Sequence, residues 1–77
     1  MPLSEAIYKR IYELAKSKGL TFYALSQKSG VPRSTLSTLK STKSIGTSII
    51  YSICEGLEIN LKEFFNSPLF ERENLID

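Results

Sequence analysis

One stretch of this sequence concentrates positive charge and hydrogen-bond donors. From Leu14 to Cys54 the chain carries Lys16, Lys18, Lys28, Arg33, Lys40 and Lys43 and no acidic residue, a charge of +6. Nine of the fifteen residues from Ser34 to Ser48 are serine or threonine. Guanidinium, ammonium and hydroxyl groups in this mixture suit non-covalent recognition of a polyanion such as nucleic acid. The rest of the chain differs. Residues 1–13 are neutral and residues 55–77 carry −4, which leaves +2 for the whole chain. A basic middle and an acidic end imply two surfaces with different tasks.

Covalent chemistry has little to work with. Histidine is absent, which removes the commonest general base and metal ligand. The single cysteine, Cys54, excludes an intramolecular disulfide and a multi-cysteine metal site. It falls beside Ile53 and Leu57 and reads as a small buried hydrophobe. Ser37-Thr38-Leu39-Lys40 matches the Ser-x-x-Lys signature of some acyl-enzymes, but the partner motifs are missing. The glutamates are scattered and form no catalytic pair. The expectation is a binding module and not an enzyme, with no cofactor and no metal.

Length sets the frame for those residues. Seventy-seven residues make one domain, and 42% hydrophobic residues suffice for one core. Apolar runs such as Ile49-Ile50-Tyr51 and Phe64-Phe65 fall far short of the ~20 residues that span a bilayer. Met1 to Glu5 has no basic segment leading into an apolar one, so a cytoplasmic location is expected.

The elements that must position the basic stretch all read as helices. Residues 4–18 repeat Ile7, Ile11, Leu14 and Ala15 at helical spacing, with Ser4 as the expected N-cap and Gly19 just past the end. Tyr8 and Tyr12 form a second stripe that covers the edges of the core. Thr21 caps a second helix that holds Phe22, Ala24 and Leu25, runs through Ser29 and stops at Gly30. A third helix is expected over Pro32–Ser41, because proline suits a first turn. Leu36 and Leu39 lie on one face of it. Ser34, Ser37, Thr38 and Ser41 lie on the other, with Arg33 and Lys40 along the border. Residues 41–46 form a loop. A fourth helix begins at Thr47 or Ser48 and turns Ile49, Ile50, Ile53, Cys54 and Leu57 inward, with Gly56 near its end. Asn60 caps a fifth helix. Phe64 and Phe65 are assigned to the core, while Leu69 and Phe70 are late core or a dimer seam. Pro68 breaks the chain, leaving residues 69–77 as a short extra helix or a loose tail. The expected organisation is a domain over residues 1–66 with a C-terminal extension over 67–77.

Helix two, a tight turn and helix three form the informative unit. Gly30 supplies the positive φ that the turn needs. Ala24 or Ser26 is small enough for a crossing helix, and Val31, Leu36 and Leu39 anchor helix three to the core. A helix held only by those anchors leaves its far side free to enter the major groove.

The run Leu20-Thr21 … Ala24-Leu25-Ser26 … Ser29-Gly30-Val31-Pro32-Arg33-Ser34-Thr35-Leu36-Ser37 … Leu39 resembles the helix-turn-helix DNA-binding domains of the phage Cro and repressor type, the Xre family. Ile53-Cys54-Glu55-Gly56-Leu57-Glu58-Ile59 … Leu61-Lys62-Glu63-Phe64-Phe65 continues the likeness, which spans Ile7 to Phe65. The resemblance implies an all-α fold, a compact five-helix bundle like the lambda repressor DNA-binding domain. It further implies a transcriptional regulator, usually a repressor, that binds a double-stranded DNA operator as a homodimer. Carried over by position, its base-reading residues are Arg33, Ser34 and Thr38, with Ser37 nearby. Its phosphate-binding places fall on Thr21, Phe22 and Tyr23 and on Ser41, Thr42, Lys43 and Ser44, to which Lys40 adds a cation. The chain departs from the family pattern at Phe22, where many relatives have Gln, and at Pro32, where many have Ser or Thr. It also has Ser26 for the usual Ala, and its 41–46 loop lacks the usual Asn-Gly or Arg-Gly. Two alternatives stand beside this reading. One is an antitoxin of the same fold that neutralises a partner protein through its C-terminal surface. The other is an interaction module that has lost DNA binding, against which the acid-free middle argues.

Overall fold

A computed structural model of the chain describes residues 1–76. The first helix, α1, spans Leu3–Ser17 and buries Ala6, Ile7, Ile11 and Ala15. It starts before Ser4, so Ser4 is not its N-cap: Pro2 holds that place in an extended conformation with no side-chain cap. The Pro2 carbonyl accepts from the N–H groups of Glu5 and Ala6, both at 3.1 Å. A tertiary tie explains the early start. The N-terminal ammonium donates to the Asn74 carbonyl at 2.8 Å, and the Ile76 N–H donates to the Met1 carbonyl at 2.9 Å. Residue 1 is therefore held by the tail, and the rigid φ of Pro2 feeds directly into the first turn. At the other end Gly19 adopts φ 70°. Leu20 N–H reaches back to the Ala15 carbonyl at 2.8 Å and Gly19 N–H to Lys16 at 3.0 Å, a Schellman stop.

The second helix, α2, spans Phe22–Ser29. Thr21 caps it as expected, its hydroxyl accepting from Ala24 N–H at 3.1 Å. Gly30 ends it at φ 78°, the left-handed conformation the turn requires. The third helix, α3, is shorter than its sequence suggests. It covers Arg33–Thr38 and tightens into a 3₁₀ turn over Leu39–Ser41. Hydroxyl groups account for the change. Ser41 and Thr42 both donate to the Thr38 carbonyl at 3.0 Å, which draws it out of regular helical pairing. The anchors hold regardless: Val31, Leu36 and Leu39 are all buried.

The fourth helix, α4, spans Thr47–Leu57 and buries Ile50, Ile53, Cys54, Gly56 and Leu57. Gly56 lies inside it, at its closest approach to α2. A Cβ there would sit 2.8 Å from Ser29 Cβ and 3.0 Å from Ser29 backbone. The helix ends instead at Glu58, which takes the left-handed conformation at φ 60°. Lys28 on α2 pairs with the Glu58 carboxylate at 3.5 Å. The fifth helix, α5, spans Leu61–Phe65, with Asn60 as its cap accepting from Glu63 N–H at 2.7 Å.

Arg10 of α1 closes the far end of α5. Its guanidinium donates to the carbonyls of Phe64 at 2.7 Å, Glu63 at 2.8 Å and Asn66 at 3.4 Å. The Glu63 carbonyl also accepts from the Asn66 N–H at 3.3 Å, while those of Phe64 and Asn66 lie past the last helical pairing, where a cation is favoured. Phe64 is fully buried, but Phe65 is not core: it is 39% exposed and meets Phe64 and Phe70 edge-on, both at 5.0 Å. A five-residue helix turns only part of its circumference inward, and here Phe64 takes that side. Phe70 packs against the core from a 3₁₀ turn over Pro68–Phe70, and a second such turn covers Arg72–Asn74.

Candidate nucleic-acid interface

Two leucines fix the orientation of α3. Leu36 and Leu39 are at most 2% exposed, so the opposite side of the helix must face outward. Arg33, Ser34, Ser37 and Thr38 are all exposed there, as their spacing predicts. Among the described residues the only ion pairs are Arg10–Glu13 and Lys28–Glu58. Arg33, Lys40 and Lys43 are thus not neutralised by carboxylates. Two hydroxyl groups of this face, those of Ser37 and Thr38, are ordered by the helix itself. Ser37 donates to the Arg33 carbonyl at 3.1 Å. Thr38 donates to the carbonyls of Ser34 at 3.1 Å and Thr35 at 3.2 Å.

The candidate phosphate-binding residues fall into two groups. At the start of α2 the Thr21 hydroxyl is engaged in capping, and Tyr23 is 59% exposed. The Phe22 ring is packed inward, edge-on to Tyr8 at 5.7 Å and to Tyr12 at 6.2 Å. A phenyl ring offers no donor, so what Phe22 has for a phosphate is its backbone N–H. That group belongs to the first turn of α2, where N–H groups lack helical partners and the dipole favours an anion. After α3, Ser41 and Thr42 spend their protons on the Thr38 carbonyl, while Lys43 and Ser44 stand exposed in the loop. Lys43 and Ser44 also border a shallow groove of about 300 Å³ lined by Leu3, Ile7, Ile45 and Phe65.

Tyr8 joins the two groups. Its ring touches Phe22 on one side, and the Lys40 ammonium lies 5.4 Å from its centroid. The contact is within cation–π range and sets where the Lys40 charge stands. Sequence reasoning placed Tyr8 at the core edge, which is correct, and missed its role as a bridge. Its position in line with Ile11 and Ala15 on α1 carried no signal that Lys40 would arrive above it.

Cys54 is 1% exposed, and burial, followed by the neighbouring Glu55 charge, pushes its thiol pKa up. That is the opposite of an activated thiol. Among the described residues no group of three His, Cys, Asp or Glu is arranged to hold a metal ion.

The sequence profile of the Cro/C1-type HTH DNA-binding domain matches residues 10–68. The matched span takes in α2, the Gly30 turn, α3 and both later helices. The chain belongs to this family. No curated protein and no solved structure matches it. As a Cro/C1-type domain the chain is a DNA-binding module, and its all-helical, five-helix fold is that of the family. Within the matched span, α2 and α3 are joined by the Gly30 turn, and the exposed side of α3 carries Arg33, Ser34, Ser37 and Thr38. Among the described residues no helix is long and apolar enough to cross a membrane.

Proposed function

We propose that this protein is a sequence-specific transcriptional repressor that binds its operator as a homodimer, with α3 in the major groove. The observation that carries the proposal is the outward face of α3: Arg33 and three hydroxyl residues, exposed and, among the described residues, unpaired with acids, on a helix docked by buried Leu36 and Leu39. Arg33 reads guanine through O6 and N7, a bidentate contact worth about 1–3 kcal/mol against a wrong base. Ser34, Ser37 and Thr38 contact the neighbouring base edges. The first-turn N–H groups of Thr21–Tyr23 on one side, and Lys40, Ser41, Thr42, Lys43 and Ser44 on the other, hold phosphates and fix register without reading sequence. Support for a dimer comes from Leu61 and Phe65 of α5, apolar side chains that are 43% and 39% exposed.

The test is selection from random duplexes at moderate salt, repeated with Arg33→Ala. A repressor yields a two-fold symmetric site, and the variant loses specific affinity while retaining non-specific binding. An antitoxin or adaptor that works through residues 67–77 retains its protein partner in the variant. If wild type and variant select the same motif with equal strength, Arg33 is not a base reader.

A further inference from the structure

Two of the hydroxyl groups of α3 that face outward, those of Ser37 and Thr38, are not free to choose their hydrogen-bonding role. Ser37 Oγ lies 3.1 Å from the Arg33 carbonyl oxygen. Thr38 Oγ1 lies 3.1 Å from that of Ser34 and 3.2 Å from that of Thr35. A carbonyl oxygen has no proton, so the hydroxyl is the donor in each contact. A hydroxyl owns one proton and two acceptor lone pairs. Once the proton is committed to the helix, only lone pairs remain for a ligand. Ser34 is different: among the described residues its hydroxyl has no hydrogen-bond partner, and it retains both roles. Arg33 completes the set with donors alone.

We infer that Ser37 and Thr38 are acceptor-only readers that select an amino group on the contacted strand, adenine N6 or cytosine N4, against the keto oxygens of thymine and guanine. The inference rests on α3 entering the major groove, as proposed above. Every base pair displays one amino and one keto group there, on opposite strands. An acceptor therefore leaves A·T and G·C undistinguished and fixes which strand bears the amino group. Accepting from an amino group adds a bond and leaves the intrahelical one in place. Donating to a keto oxygen requires the hydroxyl to turn and give up its bond to the helix. The difference is one hydrogen bond, or roughly three- to tenfold in affinity per position. The site then has three kinds of position: guanine opposite Arg33, adenine or cytosine opposite Ser37 and Thr38, and no amino–keto preference opposite Ser34.

Selection from random duplexes with the unaltered chain reads this pattern directly. In the best site, adenine is then replaced by purine lacking its 6-amino group, or cytosine by pyrimidin-2-one lacking its 4-amino group. Each replacement is expected to weaken binding roughly three- to tenfold at the two amino positions. Thr38→Val keeps the side-chain shape and removes the oxygen, and Ser37→Ala removes the other. Each should flatten one amino preference, lose the response to the analogue there and leave the guanine preference intact. Thymine or guanine selected at those positions overturns the inference while DNA reading stands. So do amino preferences that survive both variants. A chain that selects no sequence at all overturns the DNA-reading proposal and this inference with it.

Discussion

Arg33 and Arg10 show how the same side chain serves two ends. Arg33 stands exposed with no carboxylate partner among the described residues. Arg10 spends its guanidinium inside the fold, on carbonyls of α5 and the residue after it, with its side chain only 15% exposed. Arg10→Met retains much of the aliphatic stem and removes the donors to the Phe64, Glu63 and Asn66 carbonyls, of which Glu63 keeps the Asn66 N–H. Thermal or urea unfolding should show a loss of about 2 kcal/mol, the scale of hydrogen bonds to a charged group. DNA specificity should not change, and an unshifted midpoint would show that water replaces the guanidinium at no cost. Cys54 gives a pH-dependent expectation. Burial favours the neutral thiol, so its folded pKa stands above its unfolded one. The stability this confers is complete below the ordinary thiol range and is lost as pH rises through the raised one. At neutral pH an aromatic disulfide reagent should leave the native protein unlabelled and label one thiol per chain in denaturant. Rapid native labelling would contradict the burial.

At the scale of elements, the crossing of α2 and α4 sets the tolerance of the fold. Gly56 lets the two helices approach until Ser29 occupies the space a side chain would need. Gly56→Ala gains helix propensity but forces α4 away from α2, and overpacking of this kind typically costs about 1–3 kcal/mol. Chemical denaturation should register that loss. A more stable variant would mean that Ser29 can shift freely. Since α2 carries the turn into α3, the same substitution should also weaken operator binding. The α3 segment shows a different compromise. Its serines and threonines are poor helix formers that turn their hydroxyls back on the main chain. The helix shortens as a result, and Leu36 and Leu39 keep it docked.

For the whole molecule, charge and tertiary ties decide how the interface is offered. The cations of the middle segment stand clear of the acids of the last third, apart from the Lys28–Glu58 pair. If about four to six phosphates are neutralised per protomer, log affinity should fall with log salt at a slope of roughly −4 to −5 per protomer. Titrations of a labelled duplex at several salt concentrations measure it, and a slope near zero would exclude the phosphate contacts. The Lys40 ammonium lies over the Tyr8 ring, which itself packs edge-on against Phe22 of α2.

Periodicity and caps alone determined the helix order, the Thr21 and Asn60 caps, the Gly30 turn and the outward face of α3. Each depends on residues within one or two turns of one another, and such local rules are written in the chain. The resemblance carried by Leu20 to Phe65 added the family, and the profile match bears it out. Only the tertiary structure decided the rest. The start of α1 moved because the tail holds Met1, and Phe65 surfaced because the inward side of α5 is taken by Phe64. The Ser29–Gly56 approach, the Arg10 clasp and the Tyr8 bridge join residues 14 to 56 positions apart. Contacts at that range depend on how the helices pack in three dimensions, and no spacing rule along the chain encodes them.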